Sequence, residues 1–283
     1  MNKSKRTFPI YGWAGLILTL MAWLLNWSLP GSRTHYLFFP LWFGYCLTVD
    51  GLTYFRKGTS PLTRNPKTYF SLFVLSAPVW WLFEGINQRL HNWQYIGTSQ
   101  FSPLAFSLWA TLNFTTVIPA VFGSAELVRS FAFIEHAPKA PRISPTRAVT
   151  GIFFLSGWIL LGLMWKFPRL FFPFVWISIY FILEPMNIWL HNPNLAQFTE
   201  HRDWRPVLSL WIGVLICGFF WEMWNYYSNP KWIYTIPWGS WLKIFEMPIL
   251  GYGGYLPFSL ELYAMAHLIG GFFGRKKALI ELQ

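Results

Sequence analysis

Five of the eleven Asp and Glu residues in this chain lie in stretches apolar enough to cross a membrane: Asp50, Glu84, Glu184, Glu222 and Glu261. An ionisable group at the centre of a membrane helix costs roughly 2.5–3.5 kcal/mol on insertion scales, and such groups face cavities, partners or pathways. Lipid favours the neutral form of an acid, and a carboxyl that keeps its proton can act as a general acid. Glu84-x-x-Asn87 and Glu222-x-x-Asn225 set an acid and an amide three residues apart. That spacing puts them on one helix face, where the amide can donate to the carboxyl. Glu184 precedes Pro185, which frees a carbonyl one turn back and kinks the helix beside the acid. Asp50 has Arg56 and Lys57 nearby, whereas Glu261 has no cation within four residues. Glu126 and Glu246 read as local pairs with Arg129 and Lys243 at helical spacing. The competing reading for every buried acid is a polar clamp between membrane helices.

Tryptophans accompany the acids. Trp81, Trp93, Trp221, Trp224 and Trp232 are the candidate substrate-binding residues, because aromatic faces can stabilise a nearby cation. Rings near span ends also anchor a helix at the membrane interface, the plainer role for Trp93, Tyr95, Trp232 and Tyr234. His191, Glu200, His201 and Asp203 share one loop, but their spacing matches no metal motif, so no metal site is expected. The chain carries no P-loop, dinucleotide fingerprint, nucleophile elbow or haem attachment motif, and no cofactor is expected.

The elements that position these groups follow from composition. The 283 residues are 54% hydrophobic, 21% aromatic and 12% charged, against about 25% charged in soluble domains. Apolar stretches near the ~20 residues that cross a bilayer recur throughout. They predict an all-α polytopic membrane protein with about eight transmembrane helices, near 8–29, 36–55, 69–89, 103–128, 149–165, 170–190, 206–227 and 254–274. The first is read as an uncleaved span, since no small-residue cleavage site follows it. The segment 228–254 reads as a short helix in the interface or re-entering it, with 95–104 as a shorter counterpart. Cys46 and Cys217 lie in apolar spans and read as small hydrophobes. With the amino terminus inside, 16 of the 22 Lys and Arg fall on the cytoplasmic side and 6 outside. This positive-inside asymmetry places both termini in the cytoplasm and the chain in the plasma (inner) membrane. It also accounts for the net charge of +11 without a nucleic-acid partner; the expected partner is a membrane lipid or isoprenoid.

The pattern is built twice. Trp27-Ser-Leu-Pro30 and Leu37-Phe-Phe-Pro40 recur as Trp165-Lys-Phe-Pro168 and Leu170-Phe-Phe-Pro173. Phe83-Glu-Gly-Ile-Asn87 with Trp93-Gln-Tyr95 recurs as Trp221-Glu-Met-Trp-Asn225 with Trp232-Ile-Tyr234. Each half holds an even number of spans, so residues 1–141 and 142–283 are expected to be parallel four-helix repeats about an axis along the membrane normal. The proline-rich segment 137–145 is the linker. At 1.5 Å per residue, Glu84 and Glu222 lie roughly 22–24 Å from the cytoplasmic end of their spans, and Asp50 and Glu184 about 8–9 Å. Two acidic layers result, which suit a relay or one deep pocket.

Trp81-Leu-Phe-Glu84, Trp221-Glu222 and Glu184, in a duplicated bundle with short loops, resemble integral membrane terpenoid cyclases of the heterodimeric lycopene-cyclase and fungal meroterpenoid kinds. That resemblance implies protonation of an isoprenoid double bond or epoxide by a buried acid, aromatic shelter for the carbocation, and no cofactor. The paired acidic run after proline of the lycopene cyclases is missing; here Glu184 precedes its proline. Gly254-Tyr-Leu-Pro-Phe258 is similar to the last span of uncharacterised bacterial membrane proteins. The expected function is therefore acid catalysis on an isoprenoid or other lipid. Proton-coupled transport of a small solute and a non-catalytic scaffold are the alternatives.

Overall fold

The structure is a computed structural model that describes residues 6–282. In chain order it forms α1 (Ile10–Ser28), α2 (Thr34–Lys57), the single turn α3 (Pro61–Arg64), α4 (Pro66–Leu90), strand β1 (Trp93–Ile96), α5 (Pro103–Phe114), α6 (Val117–Arg129) and the turn α7 (Ala132–Glu135). There follow α8 (Arg147–Lys166), the turn α9 (Pro168–Phe171), a 3-10 turn at Phe172–Phe174, α10 (Val175–Trp189), the turn α11 (Ala196–Thr199) and α12 (Arg205–Tyr226). Strands β2 (Lys231–Tyr234), β3 (Lys243–Ile244) and β4 (Met247–Pro248), a 3-10 turn at Ile249–Gly251 and α13 (Tyr252–Phe272) complete it.

Six helical stretches are long and apolar enough to cross a membrane: 10–28, 66–90, 103–129, 147–166, 168–189 and 205–226. The chain is a helical membrane protein. α2 and α13 are comparably long, at 24 and 21 residues. They hold Asp50, Glu261 and His267, and the reason they can be less apolar is visible in their packing. α13 runs through the centre of the bundle, and every residue from Phe258 to Leu268 is buried. A helix that touches protein on all sides does not need a greasy face for lipid. α8, by contrast, leaves Ile152, Leu155, Trp158 and Ile159 exposed on a lipid-facing stripe.

Small residues let the helices approach closely, as membrane packing requires. A Cβ on Gly15 of α1 would stand 2.8 Å from the carbonyl oxygen of Gly44 on α2. On Gly157 of α8 it would stand 2.7 Å from the carbonyl oxygen of Ser178 on α10. The stretch expected as one span over 103–128 breaks between α5 and α6. Pro119 lacks the N–H for a bond one turn back, and Ser76 of α4 closes the gap. Its hydroxyl donates to the carbonyl of Phe114 at 2.5 Å and accepts the amide of Ile118 at 3.0 Å.

Two expectations are corrected here. Segment 228–254 holds no helix in the interface; before α13 begins, its one helical piece is the 3-10 turn at Ile249–Gly251. Lys243-Ile244 pairs with Met247-Pro248 in a small hairpin, because Pro237, Gly239 and Pro248 interrupt any helix and Phe245 takes a positive φ of 58° at the turn. The counterpart of its first part is β1, which pairs antiparallel with β2. The local ion pairs also change partners. Glu126, fully buried on α6, accepts Arg64 at 2.6 and 2.7 Å, Lys57 at 3.4 Å and the amide of Glu281 at 3.2 Å. Arg129 instead donates to the carbonyl of Leu282 at 3.1 Å, so Glu281 and Leu282 are both held by α6. Glu246 pairs with Lys231, between β2 and the β3–β4 turn, and not with Lys243.

Glu126→Ala strips the charge from beneath Arg64 and Lys57, which are 22% and 24% exposed and keep Glu281 as a second partner. The expected cost is about 2–3 kcal/mol, below that of breaking a fully dry pair. A thermal melt in detergent should register it, and a melting temperature equal to the parent's would contradict this role.

Candidate functional site

α4 and α12 each present an acid within their last two turns and then feed a strand that doubles back over it. Asn87 and Asn225 make that return possible, and neither bonds to its neighbouring glutamate as the spacing led us to expect. Asn87 donates to the carbonyl of Trp93 at 2.8 Å and accepts the amide of Asn92 at 2.9 Å. Asn225 donates to the carbonyl of Trp232 at 2.8 Å and accepts its amide at 2.9 Å. Each side chain thus binds backbone groups of the segment that follows its own helix and fixes where the strand begins. The strands they pin then pair, with Trp93 opposite Tyr234 and Tyr95 opposite Trp232.

This ribbon delivers indole and phenol donors to both acids. Glu84 Oε1 accepts Trp80 Nε1 at 2.9 Å, Trp93 Nε1 at 3.0 Å and Tyr95 Oη at 2.6 Å. Glu222 Oε1 accepts Tyr234 Oη at 2.7 Å and Tyr255 Oη at 2.8 Å, while Trp232 Nε1 donates to Tyr234 Oη at 3.1 Å. The two sites differ in access. Glu84 borders an open recess of about 410 Å³ with Asn87, Gln88 and His91. Glu222 is fully buried, and its Oε2 meets no hydrogen-bonding partner among the described residues.

Under the ribbon lies a chamber of about 480 Å³ walled largely by aromatic rings. Trp80 of α4, Trp93 of β1, Trp176 of α10, Trp221 of α12, Trp232 of β2 and Phe258 of α13 contribute faces and edges. Trp176 stacks on Trp93 with centroids 6.1 Å apart and meets Phe258 edge-on at 5.4 Å. Trp80 meets Phe258 edge-on at 5.8 Å. Trp238 and Leu250, either side of the β3–β4 hairpin, border the same space. Tyr95, Tyr234 and Tyr255 stand in the wall with their hydroxyls turned to the acids. The chamber therefore meets Glu222 through phenols, not through the carboxyl itself.

Of the five tryptophans singled out in the sequence, Trp93, Trp221 and Trp232 line the chamber. Trp81 turns away and donates to Thr111 on α5 at 3.0 Å. Trp224 is buried against Trp42 and Trp23, with centroids 5.0 and 5.9 Å away. Trp80, Trp176, Tyr255 and Phe258 complete the wall and were not in the candidate set. Nothing local marks Trp176, while Tyr255 and Phe258 lie in the Gly254-Tyr-Leu-Pro-Phe258 run, which carried no site role. Tyr95 and Tyr234 were legible as members of the repeated Trp-x-Tyr motif.

Asp50 and Glu184 stand apart from the chamber and accept backbone amides. Asp50 Oδ1 accepts the amide of Leu62 at 2.9 Å, and its Oδ2 accepts Ser60 at 2.7 Å and Tyr11 at 2.8 Å. It does not reach out to Arg56 or Lys57, whose side chains bond to Ser130 and to Glu126. Glu184 Oε1 accepts the amides of Leu195 at 2.5 Å and Ala196 at 3.0 Å. Each acid thus holds the start of a single-turn helix in the loop that follows its own helix. Glu261 Oε1 accepts the amide of Ile179 at 3.2 Å within α10. Glu184→Ala is expected to cost about 1–3 kcal/mol, the price of a buried amide without an acceptor, and to leave chamber binding intact. A variant that melts like the parent yet loses ligand binding would contradict the capping role. Among the described residues, no group of His, Cys, Asp and Glu is arranged to hold a metal ion. In the inner loop, Glu200 pairs with Arg142 at 3.4 Å and Asp203 with Arg205 at 2.7 Å. The Arg205 guanidinium holds the Asp203 carboxyl below its usual range.

Fold and site together define a helical membrane protein with an aromatic chamber backed by a buried acid. Comparison with protein-family models, with curated proteins and with solved structures finds no match.

Proposed function

We propose that this chain is an integral membrane enzyme that takes an isoprenoid or another lipid into the aromatic chamber and protonates it with Glu222 as the proton source. One observation carries the reading: a fully buried carboxyl whose contact with the apolar chamber is made by two phenols, Tyr234 and Tyr255. In the step envisaged, the hydroxyl of Tyr234 or Tyr255 turns from Glu222 toward the chamber and gives its proton to an alkene carbon, while the protonated Glu222 carboxyl donates one to the same oxygen. The carbocation rests against Trp80, Trp176 and Phe258, whose ring faces favour positive charge. Loss of a proton from a neighbouring carbon restores the acid and yields an isomer or a ring, with atoms balanced and no cofactor consumed.

The same reading includes the full architecture: eight membrane-crossing helices, both termini cytoplasmic, with 1–141 and 142–283 as parallel repeats in the plasma membrane. Its supports are paired. Asn87 and Asn225 hold their strands alike, Asp50 and Glu184 hold their loops alike, and each Trp-x-Tyr tryptophan stands opposite the other motif's tyrosine. A two-fold axis through the ribbon generates such a register. Proton-coupled transport draws less support, because the inner acids that would continue a relay are engaged with loop amides.

The test is conversion of polyene and isoprenoid lipids by the purified protein in bilayers, analysed by chromatography and mass spectrometry. Product formation that disappears in Glu222→Gln is expected. Unchanged lipids across a broad panel would overturn the enzymatic reading.

A further inference from the structure

We infer that the open recess beside Glu84 is a second binding site, distinct from the chamber, and that it takes a primary ammonium group. Its volume of about 410 Å³ falls within the roughly 300–1,000 Å³ of pockets that hold small molecules. Glu84 is only 7% exposed, and its carboxyl meets three donors and no acceptor among the described residues. That arrangement suits the ionised form. The donors, from Trp80, Trp93 and Tyr95, all bind Oε1. Oε2 takes none of them, and unlike Oε2 of Glu184, Glu222 and Glu261 it is not sealed off by its surroundings. A buried carboxylate thus shows one open oxygen to the recess.

No cation of the protein answers it. Glu84 takes part in no ion pair among the described residues. No Lys or Arg lines the recess, and His91 is the one base there. Arg89, next to Gln88, turns its guanidinium to the carbonyl of Trp165 at 2.9 and 3.0 Å. The remaining lining suits an organic cation. Trp93, Tyr95, Phe101 and Phe106 border the space, and aromatic rings attract positive charge. Tyr95 and Phe106 meet edge-on with centroids 5.7 Å apart, so each holds the other in place. Gln88, Gln94 and Thr98 add side-chain oxygens. A primary ammonium donates one N–H to Oε2 in a charge-assisted bond and has these oxygens as further acceptors. A quaternary ammonium has no N–H to give. Calcium takes about six to eight oxygen ligands, whereas Glu84 is the one carboxylate lining the recess. The ammonium belongs to a dissolved amine or to an aminophospholipid headgroup, and the test separates the two.

Saturation-transfer NMR on the full-length protein in phosphatidylglycerol nanodiscs measures binding of n-butylamine, n-butyltrimethylammonium, n-butanol and n-butyrate, with empty nanodiscs as the blank. Butylamine is expected to bind about tenfold more tightly than butanol, from one charge-assisted hydrogen bond, and more tightly than the other two. In Glu84→Gln that preference should fall to within about twofold, because the new amide turns an N–H toward the recess. Phe106→Leu leaves the carboxyl in place and should weaken butylamine by about two- to fivefold. Both sources support the inference: phosphatidylethanolamine in the nanodisc lowers butylamine binding if headgroups occupy the site, and leaves it unchanged if dissolved amines do. Equal binding of butylamine and butanol overturns it, as does tighter binding of the trimethylammonium, or displacement of butylamine by an equal concentration of calcium. Butylamine binding of parental strength in a folded Glu84→Gln protein overturns it too. Should that variant not fold, parental affinity in Phe106→Leu does so. None of these results bears on the chamber reading, in which Glu222 is the acid.

Discussion

Gly213→Val is expected to force α12 away from α6 and to lower the stability of the bundle by a large margin. α12 crosses α6 at this point, and an added Cβ would lie 2.5 Å from the amide nitrogen of Ala125 and 2.7 Å from its Cα. Those atoms are backbone and cannot rotate aside, so the helices must move apart along a seam that also holds Ser124, Tyr45 and Cys217. Overpacking of this kind costs about 1–3 kcal/mol, and the upper end applies where backbone is the obstacle. Gly85→Ala is the control, because a Cβ there meets nothing within 4 Å. The reading is melting temperature and the monodisperse fraction after extraction. A Gly213→Val protein that melts with the parent would show that the close approach of α12 to α6 does not set the stability of the bundle.

Glu222→Gln is expected to lower turnover by two to four orders of magnitude, the usual contribution of a positioned general acid, with little change in ligand affinity. Glutamine keeps a carbonyl oxygen to accept from Tyr234 and Tyr255, so the fold has no reason to change. The phenols should act as a unit. Tyr234→Phe and Tyr255→Phe each leave one route from Glu222 to the chamber and are expected to reduce turnover by less than the acid's removal. Together they should match Glu222→Gln, since groups in one chain of proton transfer are not additive. Turnover within a few-fold of the parent in Glu222→Gln would remove the acid from the chemistry.

The helical membrane class was legible because it rests on composition and span length, which act locally and repeat along the chain. The positions of Glu84 and Glu222 were legible for a related reason: an acid in an apolar span is costly enough to mark itself. Their surroundings were not, since they depend on what lies across the fold. Trp176 comes from α10 and Phe258 from α13, and no spacing in the sequence links either to Glu84. Asp50 and Glu184 look like Glu84 in the sequence, yet each has a loop amide opposite it where the outer acids have phenols. Asn87 illustrates the same limit. Helical spacing correctly set it on the face of Glu84, but the chain reversal after Leu90 brought the amide of Asn92 and the carbonyl of Trp93 to it instead. The β3–β4 hairpin was missed because alternating apolar residues suit a strand as well as an interfacial helix, and Pro237, Gly239 and Pro248 decide between them.

The reading depends most on an apolar molecule entering the space between α4, α10 and α13, and photolabelling reports that directly. A C20 isoprenoid carrying a diazirine would be equilibrated with the protein in bilayers, irradiated, and the adducts located by peptide mass spectrometry. Adducts on Trp80, Trp176 and Phe258, reduced by an excess of unlabelled isoprenoid, are the predicted result. Adducts confined to Leu155, Trp158 and Ile159 on the lipid-facing stripe of α8, with none in the chamber, would contradict it.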